Sequence, residues 1–178
     1  DVSQAEVEVF RLAHNPEGRH PVIGMATRFA TEKGVEILLR ALPKILEVHP
    51  RAMVWYAGEY QDVMGEQAYF ERLYPLIEQY QERGQWKFLG ILNPEQMSAF
   101  YPHLDVLVVP SLNSTETFGL VQIEAMMRGT PTVASNLPGV RQPPQMTGMG
   151  EVAPIGDADA LADAILKKLL KYGSLHAA

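Results

Sequence analysis

The chain lacks cysteine and long hydrophobic runs, and each absence removes a class of protein from consideration. Without cysteine, neither a disulfide framework nor thiolate chemistry is available. No apolar stretch approaches the roughly 20 residues that a membrane-spanning helix needs. The first residues, Asp1 to Phe10, are acidic and show no signal-peptide pattern, so we expect a soluble cytoplasmic protein.

A positive charge excess and clustered metal ligands are also missing. The formal net charge of −6 argues against a nucleic-acid-binding protein, although a locally positive site for an anion is compatible with it. The five histidines show no metal-ligand spacing. Asp157-Ala158-Asp159 stands where a helix is predicted to begin, so we expect it to cap that helix. The sequence therefore predicts no metal site.

The familiar glycine signatures of nucleotide-binding proteins are absent as well. There is no G-x-G-x-x-G and no G-x-x-x-x-G-K-[ST], which disfavours a Rossmann dehydrogenase and a P-loop NTPase. The chain does have 178 residues, of which 47% are hydrophobic and 20% charged. That composition is typical of one globular domain with a sizeable core.

Apolar residues alternate between strand and helix patterns about six times, which predicts βαβ units around a parallel sheet. The expected fold is α/β, with a single Rossmann-like, doubly wound sheet of about six strands. Ligands bind such sheets beyond the carboxyl ends of the strands. The segment 138–150 is rich in proline and glycine and is predicted to be a loop. Strands are predicted at 22–26, 52–57, 86–89, 105–109, 130–135 and 151–153, and helices at 35–46, 67–81, 94–100, 118–128 and after Asp157.

The loop after the first predicted strand carries two cations, Arg28 and Lys33, and opens a helix at Gly34. A helix N-terminus presents N–H groups and a partial positive charge, which suit a phosphate. The arginine fork would add bidentate contacts and the lysine a point charge, and glycine lets the backbone approach closely. A phosphate site and a solvated turn with two surface cations are equally compatible with this segment alone.

The segment after the cleanest predicted strand has a carboxylate on either side of a helix start. Glu116 precedes the first turn, whose N–H groups at Phe118, Gly119 and Leu120 have no helical partner. Glu124 lies roughly 9 Å further along the axis than Phe118, at about 1.5 Å per residue. A sugar, a diphosphate and a ribose laid along this start would meet Glu116, the amides and Glu124 in that order. Two ordinary helix-start carboxylates are the alternative.

These residues resemble the donor-binding motif of family 4 retaining glycosyltransferases, which have the two-domain GT-B fold. Glu116 and Glu124 have seven residues between them, as that family's signature requires. The likeness runs from about Val22 to Leu170 and covers most of the chain. It includes Gly24-x-x-x-Arg28, Glu32-Lys33-Gly34, Phe88-Leu89-Gly90, Val108-Val109-Pro110-Ser111, Glu116-x-Phe118-Gly119-Leu120, Glu124-Ala125-Met126, Gly129-Thr130-Pro131-Thr132-Val133-Ala134-Ser135, Pro138-Gly139-Val140 and Asp157-x-x-Ala160-Leu161.

The resemblance implies a role for each matched position. Glu116 would be the catalytic acidic residue of this half and would contact the transferred sugar. Fixed cations and amides would stabilise the charge that develops on the departing diphosphate, so that departure needs no metal and no cofactor. Contacts to the UDP- or GDP-linked donor would come from Arg28, Lys33, Phe118, Gly119 and Leu120 at the diphosphate, from Glu124 at the ribose, and from Leu89 and Gly90 at the base.

The resemblance also implies a domain organisation. Residues 1–20 would be a linker or N-terminal extension, and residues 21–178 the nucleotide-sugar (donor) binding domain. The chain opens without a methionine, and we expect it to be a piece of a longer protein. The N-terminal acceptor-binding domain of such enzymes is missing here. We therefore expect the isolated domain to bind nucleotide weakly and turn over poorly, because cleft closure completes the site.

Other functions are compatible with parts of this pattern. The chain could be a nucleotide-sugar-binding module without catalysis, or another enzyme of the same fold, such as a sugar-nucleotide epimerase or a phosphorylase. No pyridoxal-type lysine motif supports a phosphorylase. A flavodoxin-like signalling domain would have an acidic cluster at the first strand end, where this chain has Arg28. The base, the sugar, the acceptor, the oligomeric state and any membrane association of the parent protein stay open at this point.

Overall fold

The computed structural model describes residues 2–113 and 119–176, with the last six of these described by their backbone alone. The described chain alternates strands and helices. Its elements are α1 (Gln4–His14), β1 (Val22–Ala26), α2 (Val35–Val48), β2 (Met53–Ala57), α3 (Gln67–Glu82), β3 (Trp86–Gly90), α4 (Pro94–Phe100), β4 (Val106–Val109), α5 (Leu120–Met127), β5 (Thr132–Ser135), α6 (Gln142–Thr147), β6 (Gly150–Ala153) and α7 (Ala158–His176), with 3₁₀ turns at Thr31–Lys33 and Tyr101–His103.

The six strands form one parallel sheet in the order β3-β2-β1-β4-β5-β6. The chain order reverses between β1 and β4, the point where a doubly wound sheet opens a crevice beyond its strands. Strands β2, β4 and β5 are buried along their whole length, as expected for a parallel sheet covered on both faces. The expected fold class is confirmed.

Two apolar clusters cover the two faces of the sheet. On one face α2, α3 and α7 pack over side chains such as Ile23 and Val54. On the other face α1, α4 and α5 pack around Trp55 and Leu107. Pro43 and Pro75 are exposed, and helices α2 and α3 are continuous through them. No helix in residues 2–113 or 119–176 has the length and apolarity that crossing a bilayer requires.

The first 20 residues contain a helix that the sequence analysis did not predict. Ser3 and Glu6 form a capping box at the start of α1. Phe10 is buried against Trp55, with ring centroids 5.7 Å apart. Lys87 Nζ donates to the carbonyl of His14 at 3.3 Å, which satisfies an acceptor at the end of the helix. The docked helix covers part of the sheet, and the proposed domain boundary after residue 20 stays a prediction.

The prediction of a loop over 138–150 was wrong in part. Residues Gln142–Thr147 form α6, and Gly148 ends it in a left-handed conformation with φ of 67°. Pro143 and Pro144 stand in the first turn, where the missing N–H groups have no intrahelical partner to lose. Proline is therefore compatible with this short helix, although the composition indicated a loop.

Candidate functional site

A cavity of about 260 Å³ lies where the chain order reverses, beyond the carboxyl ends of β1 and β4. We call it the switch-point cavity. Its wall combines the ends of the two strands, one cation and the start of α5. The lining residues are Met25, Ala26, Thr27, Lys33, Val108, Val109, Pro110, Ser111, Gly119, Leu120 and Val121.

The two loops that form this cavity are held against each other by backbone contacts. The amide of Leu112 donates to the carbonyl of Glu32 at 2.9 Å. Gly34 has φ of 79°, and a Cβ built at this position would stand 1.9 Å from the carbonyl oxygen of Pro110. No side chain fits in that space, so glycine is required for both its conformation and its lack of a Cβ. The loop after β1 therefore packs closely against the residues that directly follow β4.

The start of α5 faces the switch-point cavity. Gly119 precedes the helix with φ of 57°, and its carbonyl accepts from the amide of Gln122 at 2.8 Å. Gly119 and Leu120 both line the cavity, and so does Lys33. The first N–H groups of a helix have no acceptor within it and carry a partial positive charge. The structure thus brings together three of the predicted diphosphate-binding residues around one cavity suited to an anion.

Arg28 is close to this cavity in sequence but does not form its wall. Its predecessor Thr27 lines the cavity, whereas the exposed guanidinium of Arg28 is ion-paired with Glu32 four residues later. The carboxylate of Glu32 therefore neutralises part of the charge that Arg28 would offer to a phosphate. Glu116 and Phe118, the predicted catalytic residue and one predicted amide contact, lie outside the described residues.

Glu124 lies in a second depression, of about 600 Å³, between α4 and α5. We call it the α4–α5 groove. The sequence analysis expected Glu124 to converge with Arg28 and Lys33 on one site, and the structure instead places it in this neighbouring groove. The groove is lined by Leu92, Pro94, Met97, Ser98, Tyr101, Glu124, Met127 and Arg128.

The exposed carboxylate of Glu124 accepts a hydrogen bond from a buried tyrosine. Tyr101 is 1% exposed, and its hydroxyl donates to Glu124 Oε2 at 2.7 Å. Burial of the ring, and next the bond to this carboxylate, raise the pKa of Tyr101 well above the usual tyrosine range. The phenol therefore stays protonated and serves as a donor at any working pH.

The two predicted base-binding residues lie just before the groove. Leu89 is partly buried against the apolar cluster that contains Trp55, and Gly90 ends β3 with φ of 73°. Neither forms the wall of the groove, which begins two residues later at Leu92. Both residues therefore lie near the groove but outside its wall, and their role at the base stays a prediction.

Sequence reasoning missed Gln122, a fully buried polar residue on α5. Its Nε2 donates to the carbonyl of Val140 at 2.8 Å, and its Oε1 accepts from the hydroxyl of Thr132 at 2.8 Å. These bonds tie the start of α5 to β5 and to the segment before α6. The available signal was an amide side chain within the apolar sequence Leu120-Val121-Gln122-Ile123, since a buried polar group needs partners.

The described residues contain no group of three or more acidic or histidine side chains that could hold a metal ion. The switch-point cavity offers an anion the charge of Lys33 and the amides at the start of α5, and Thr27 and Ser111 also line it. The switch-point cavity is therefore suited to an anion, and the neighbouring α4–α5 groove contains one carboxylate, Glu124.

Comparison with known proteins shows the family. A family model for glycosyl transferases group 1 matches residues 7–177, so the chain belongs to that family. An uncharacterised glycosyltransferase of Methanocaldococcus jannaschii is 33% identical over 134 residues, which are 75% of this chain and 32% of that protein. A phosphatidyl-myo-inositol mannosyltransferase of Mycobacterium leprae is 30% identical over 159 residues, 89% of this chain and 40% of that protein.

Solved structures share the fold. A sucrose-phosphate synthase from Thermosynechococcus elongatus superposes with a TM-score of 0.75 at 31% identity, over 95% of this chain and 40% of that one. The Anabaena protein HepE, solved in complex with UDP and glucose, superposes with a TM-score of 0.76 at 25% identity, over 94% and 43%. The fold is therefore that of one GT-B domain, and the chain spans less than half the length of these proteins.

Proposed function

We propose that this chain is the donor-binding domain of a retaining glycosyltransferase that transfers a hexosyl group from a nucleoside-diphosphate sugar to an acceptor. One observation carries the proposal: Lys33 and the start of α5 line the same cavity at the switch point of the sheet. A cation and helix amides in this arrangement suit a diphosphate. Membership in a family of glycosyltransferases supports the reading of this ligand as a sugar donor.

The diphosphate would lie in the switch-point cavity. Lys33 would contribute a positive charge, and the amides of Gly119 and Leu120 would donate hydrogen bonds. Breaking the bond between sugar and diphosphate leaves negative charge on a phosphate oxygen. Fixed hydrogen-bond donors stabilise that charge more than they stabilise the charge of the intact sugar nucleotide. This difference accelerates the departure of the diphosphate. Arg28 would contribute at the diphosphate once it exchanges Glu32 for the ligand.

The nucleoside would extend from this cavity along α5 into the α4–α5 groove. Glu124 would accept hydrogen bonds from the ribose hydroxyls, because a carboxylate has acceptor sites for both. The base would rest on the apolar wall formed by side chains such as Leu92 and Met97, near the predicted contacts at Leu89 and Gly90. This placement uses both depressions for one extended ligand.

The remaining elements of the proposal follow the resemblance. Glu116 would be the catalytic carboxylate at the transferred sugar, and the amide of Phe118 would join the phosphate contacts. We propose that the reaction needs no metal or other cofactor and takes place in the cytoplasm. The acceptor would bind an N-terminal domain of the same protein, and association of that whole protein with a membrane is compatible with this organisation. No nucleic acid is involved.

Similar proteins support the choice of ligand class. HepE was solved with UDP and with UDP and glucose, and its fold superposes on 94% of this chain. The relative from Mycobacterium leprae is named a mannosyltransferase. A nucleotide linked to a hexose is therefore the ligand to test first.

Calorimetry with UDP, GDP and ADP, and with their hexose conjugates, tests the binding step on this chain. We expect one of the three nucleoside diphosphates to bind. We expect Lys33→Glu to abolish this binding by reversing the charge in the cavity. Arg40→Glu is the matched control, because Arg40 is an exposed cation on α2 paired with Glu36. Binding that survives Lys33→Glu would overturn the assignment of the switch-point cavity.

Turnover separates a transferase from a module that only binds. We expect slow donor hydrolysis by this chain, much faster transfer by the full-length protein, and no loss of either after EDTA treatment. Glu116→Gln should abolish turnover while leaving the affinity for the nucleoside diphosphate nearly unchanged. Tight binding without any turnover by the full-length protein would favour a regulatory module instead, and equal rates for chain and full-length protein would refute the need for the acceptor half.

A further inference from the structure

The carboxylate of Glu124 is supported by a phenol that is more buried than the carboxylate itself. Tyr101 lies in the 3₁₀ turn after α4 and is 1% exposed, whereas Glu124 is exposed to the groove on α5. The Tyr101 hydroxyl reaches Glu124 Oε2 at 2.7 Å. A hydrogen bond from an immobile donor to an exposed carboxylate restricts a side chain that would otherwise sample several rotamers.

The phenol itself is fixed by its surroundings. The carbonyl of Tyr101 accepts a hydrogen bond from the hydroxyl of Thr130 at 2.7 Å. Its ring packs against Phe100, with centroids 5.5 Å apart. Backbone and ring are therefore both held, and the hydroxyl occupies one position relative to α5.

We propose that Tyr101 is a positioning residue that holds the Glu124 carboxylate in the orientation in which it accepts the ribose hydroxyls of the donor. The inference rests on the proposed function, because it needs Glu124 to be the ribose contact. A carboxylate has about four acceptor sites, so one bond to Tyr101 leaves room for two ribose hydroxyls on the groove side. The bond also fixes the carboxylate before the ligand arrives, which lowers the ordering cost of binding.

The test is Tyr101→Phe, which removes the hydroxyl and keeps the ring. We expect the affinity for UDP to fall about five- to tenfold, because Glu124 keeps its own bonds to the ribose and loses only the contact that orders its carboxylate. The affinity for 2′,3′-dideoxy-UDP should stay within about twofold, because that probe lacks the hydroxyls that Glu124 accepts. GDP and its dideoxy analogue serve in the same way if the wild-type chain prefers guanine.

Tyr56→Phe is the matched control. Tyr56 is another fully buried tyrosine, and its hydroxyl has no hydrogen-bond partner among the described residues. It packs in the core beside Trp86, away from the residues that line the groove. Removing the hydroxyl of Tyr56 should leave the affinity for UDP unchanged.

A double-mutant cycle with Glu124→Ala separates positioning from general damage. Tyr101→Phe should cost nothing further in the Glu124→Ala background, because its effect passes through that carboxylate. Equal losses for UDP and dideoxy-UDP would show a structural role only and overturn the inference, as would an unchanged affinity for UDP. If the wild-type chain fails to distinguish UDP from dideoxy-UDP, the ribose role of Glu124 and the inference both fall. If Glu124→Ala abolishes that distinction but Tyr101→Phe does not, only the inference falls.

Discussion

The two depressions beside α5 depend on different features of the chain. The switch-point cavity depends on backbone geometry, with Gly34 and Gly119 in left-handed conformations and helix amides at its wall. The α4–α5 groove depends on side chains, among them the hydrogen-bonded pair of Tyr101 and Glu124. The cavity therefore depends mainly on the shape of the backbone, and the groove depends mainly on the chemistry of its side chains. Substitutions of the glycines at the cavity should therefore destabilise the fold and weaken ligand binding together, whereas substitutions of exposed side chains in the groove should weaken ligand binding alone.

The largest effect should come from Gly34→Ala. The added Cβ would meet the Pro110 carbonyl oxygen at 1.9 Å in a backbone conformation with φ of 79°. We expect a loss of about 3 kcal/mol or more in the free energy of unfolding, from steric strain and positive φ together. Urea denaturation measures it, and calorimetry with UDP should show lost binding.

Gly65→Ala is the control for that substitution. Gly65 has a nearly identical φ of 78°, but a Cβ there would meet nothing within 4 Å. Its loss should be about 1 kcal/mol, the cost of the left-handed conformation alone. Equal losses at the two glycines would mean that the contact with Pro110 does not define the cavity.

The next largest effect should follow Lys33→Ala, which removes charge from the cavity wall without disturbing its backbone. We expect the affinity for UDP to fall about 10- to 100-fold, because a hydrogen bond to a charged group contributes about 1.5 to 3 kcal/mol. Arg28→Ala should cost less, since its guanidinium must first leave Glu32. Arg40→Ala should leave the calorimetric affinity unchanged, and a larger loss at Arg28 than at Lys33 would reverse the proposed roles.

Gln122→Leu tests how far the backbone of the cavity relies on a buried side chain. The substitution leaves the carbonyl of Val140 and the hydroxyl of Thr132 buried without their partner. We expect a loss of about 1 to 2 kcal/mol in the free energy of unfolding, measured in urea. Adding Thr132→Val should recover part of it, because the second unpaired group is then removed. A more severe double variant would contradict this account.

The smallest effect concerns pH and lies outside both depressions, neither of which is lined by histidine among the described residues. Burial lowers the pKa of His14 and of His103, whereas the hydrogen bond from the ring of His20 to the carboxylate of Asp105 raises the pKa of His20. A lowered pKa means that the unfolded chain takes up the proton first, so stability falls as pH drops below about 6.5. The raised pKa of His20 has the opposite effect on stability. We expect the two lowered pKa values to outweigh it.

We therefore expect a small decrease in the free energy of unfolding from about pH 7.5 to about pH 5.5. His14→Phe should flatten the decrease, because it keeps an aromatic ring beside Phe10 and removes one depressed group. His20→Asn should steepen it by removing the group that opposes the trend. Urea denaturation at both pH values measures these slopes, and changes of the opposite sign would contradict the assignment.

All six strands could be predicted from the sequence, most clearly β2, β4 and β5, because parallel strands that are buried along their whole length are short apolar runs. Two helices were not. The capping box at Ser3 and Glu6 was present in the sequence but was overlooked in a segment expected to be a linker. The helix at Gln142–Thr147 was obscured by two prolines, which indicate a loop by composition but are compatible with a first helical turn.

The site was predictable only in part. Lys33, Gly119 and Leu120 converge because strand ends meet at a switch point, which topology dictates. The position of Glu124 depends on which way α5 is turned about its axis, and that is fixed by the buried bonds of Gln122 and by Tyr101. Those contacts join residues far apart in sequence, so spacing alone does not reveal them.

A single eight-residue helix, α5, contributes residues to the walls of both depressions and so fixes the distance between them. Leu120 and Glu124 are four residues apart, which on an α-helix is about 6 Å of rise. An inserted residue between them would lengthen that distance by about 1.5 Å and swing the carboxylate by about 100° around the axis. If one donor occupies both depressions as proposed, its binding depends on this spacing, and we expect an inserted residue to weaken the affinity for UDP more than a substitution on the exposed face of α5 does.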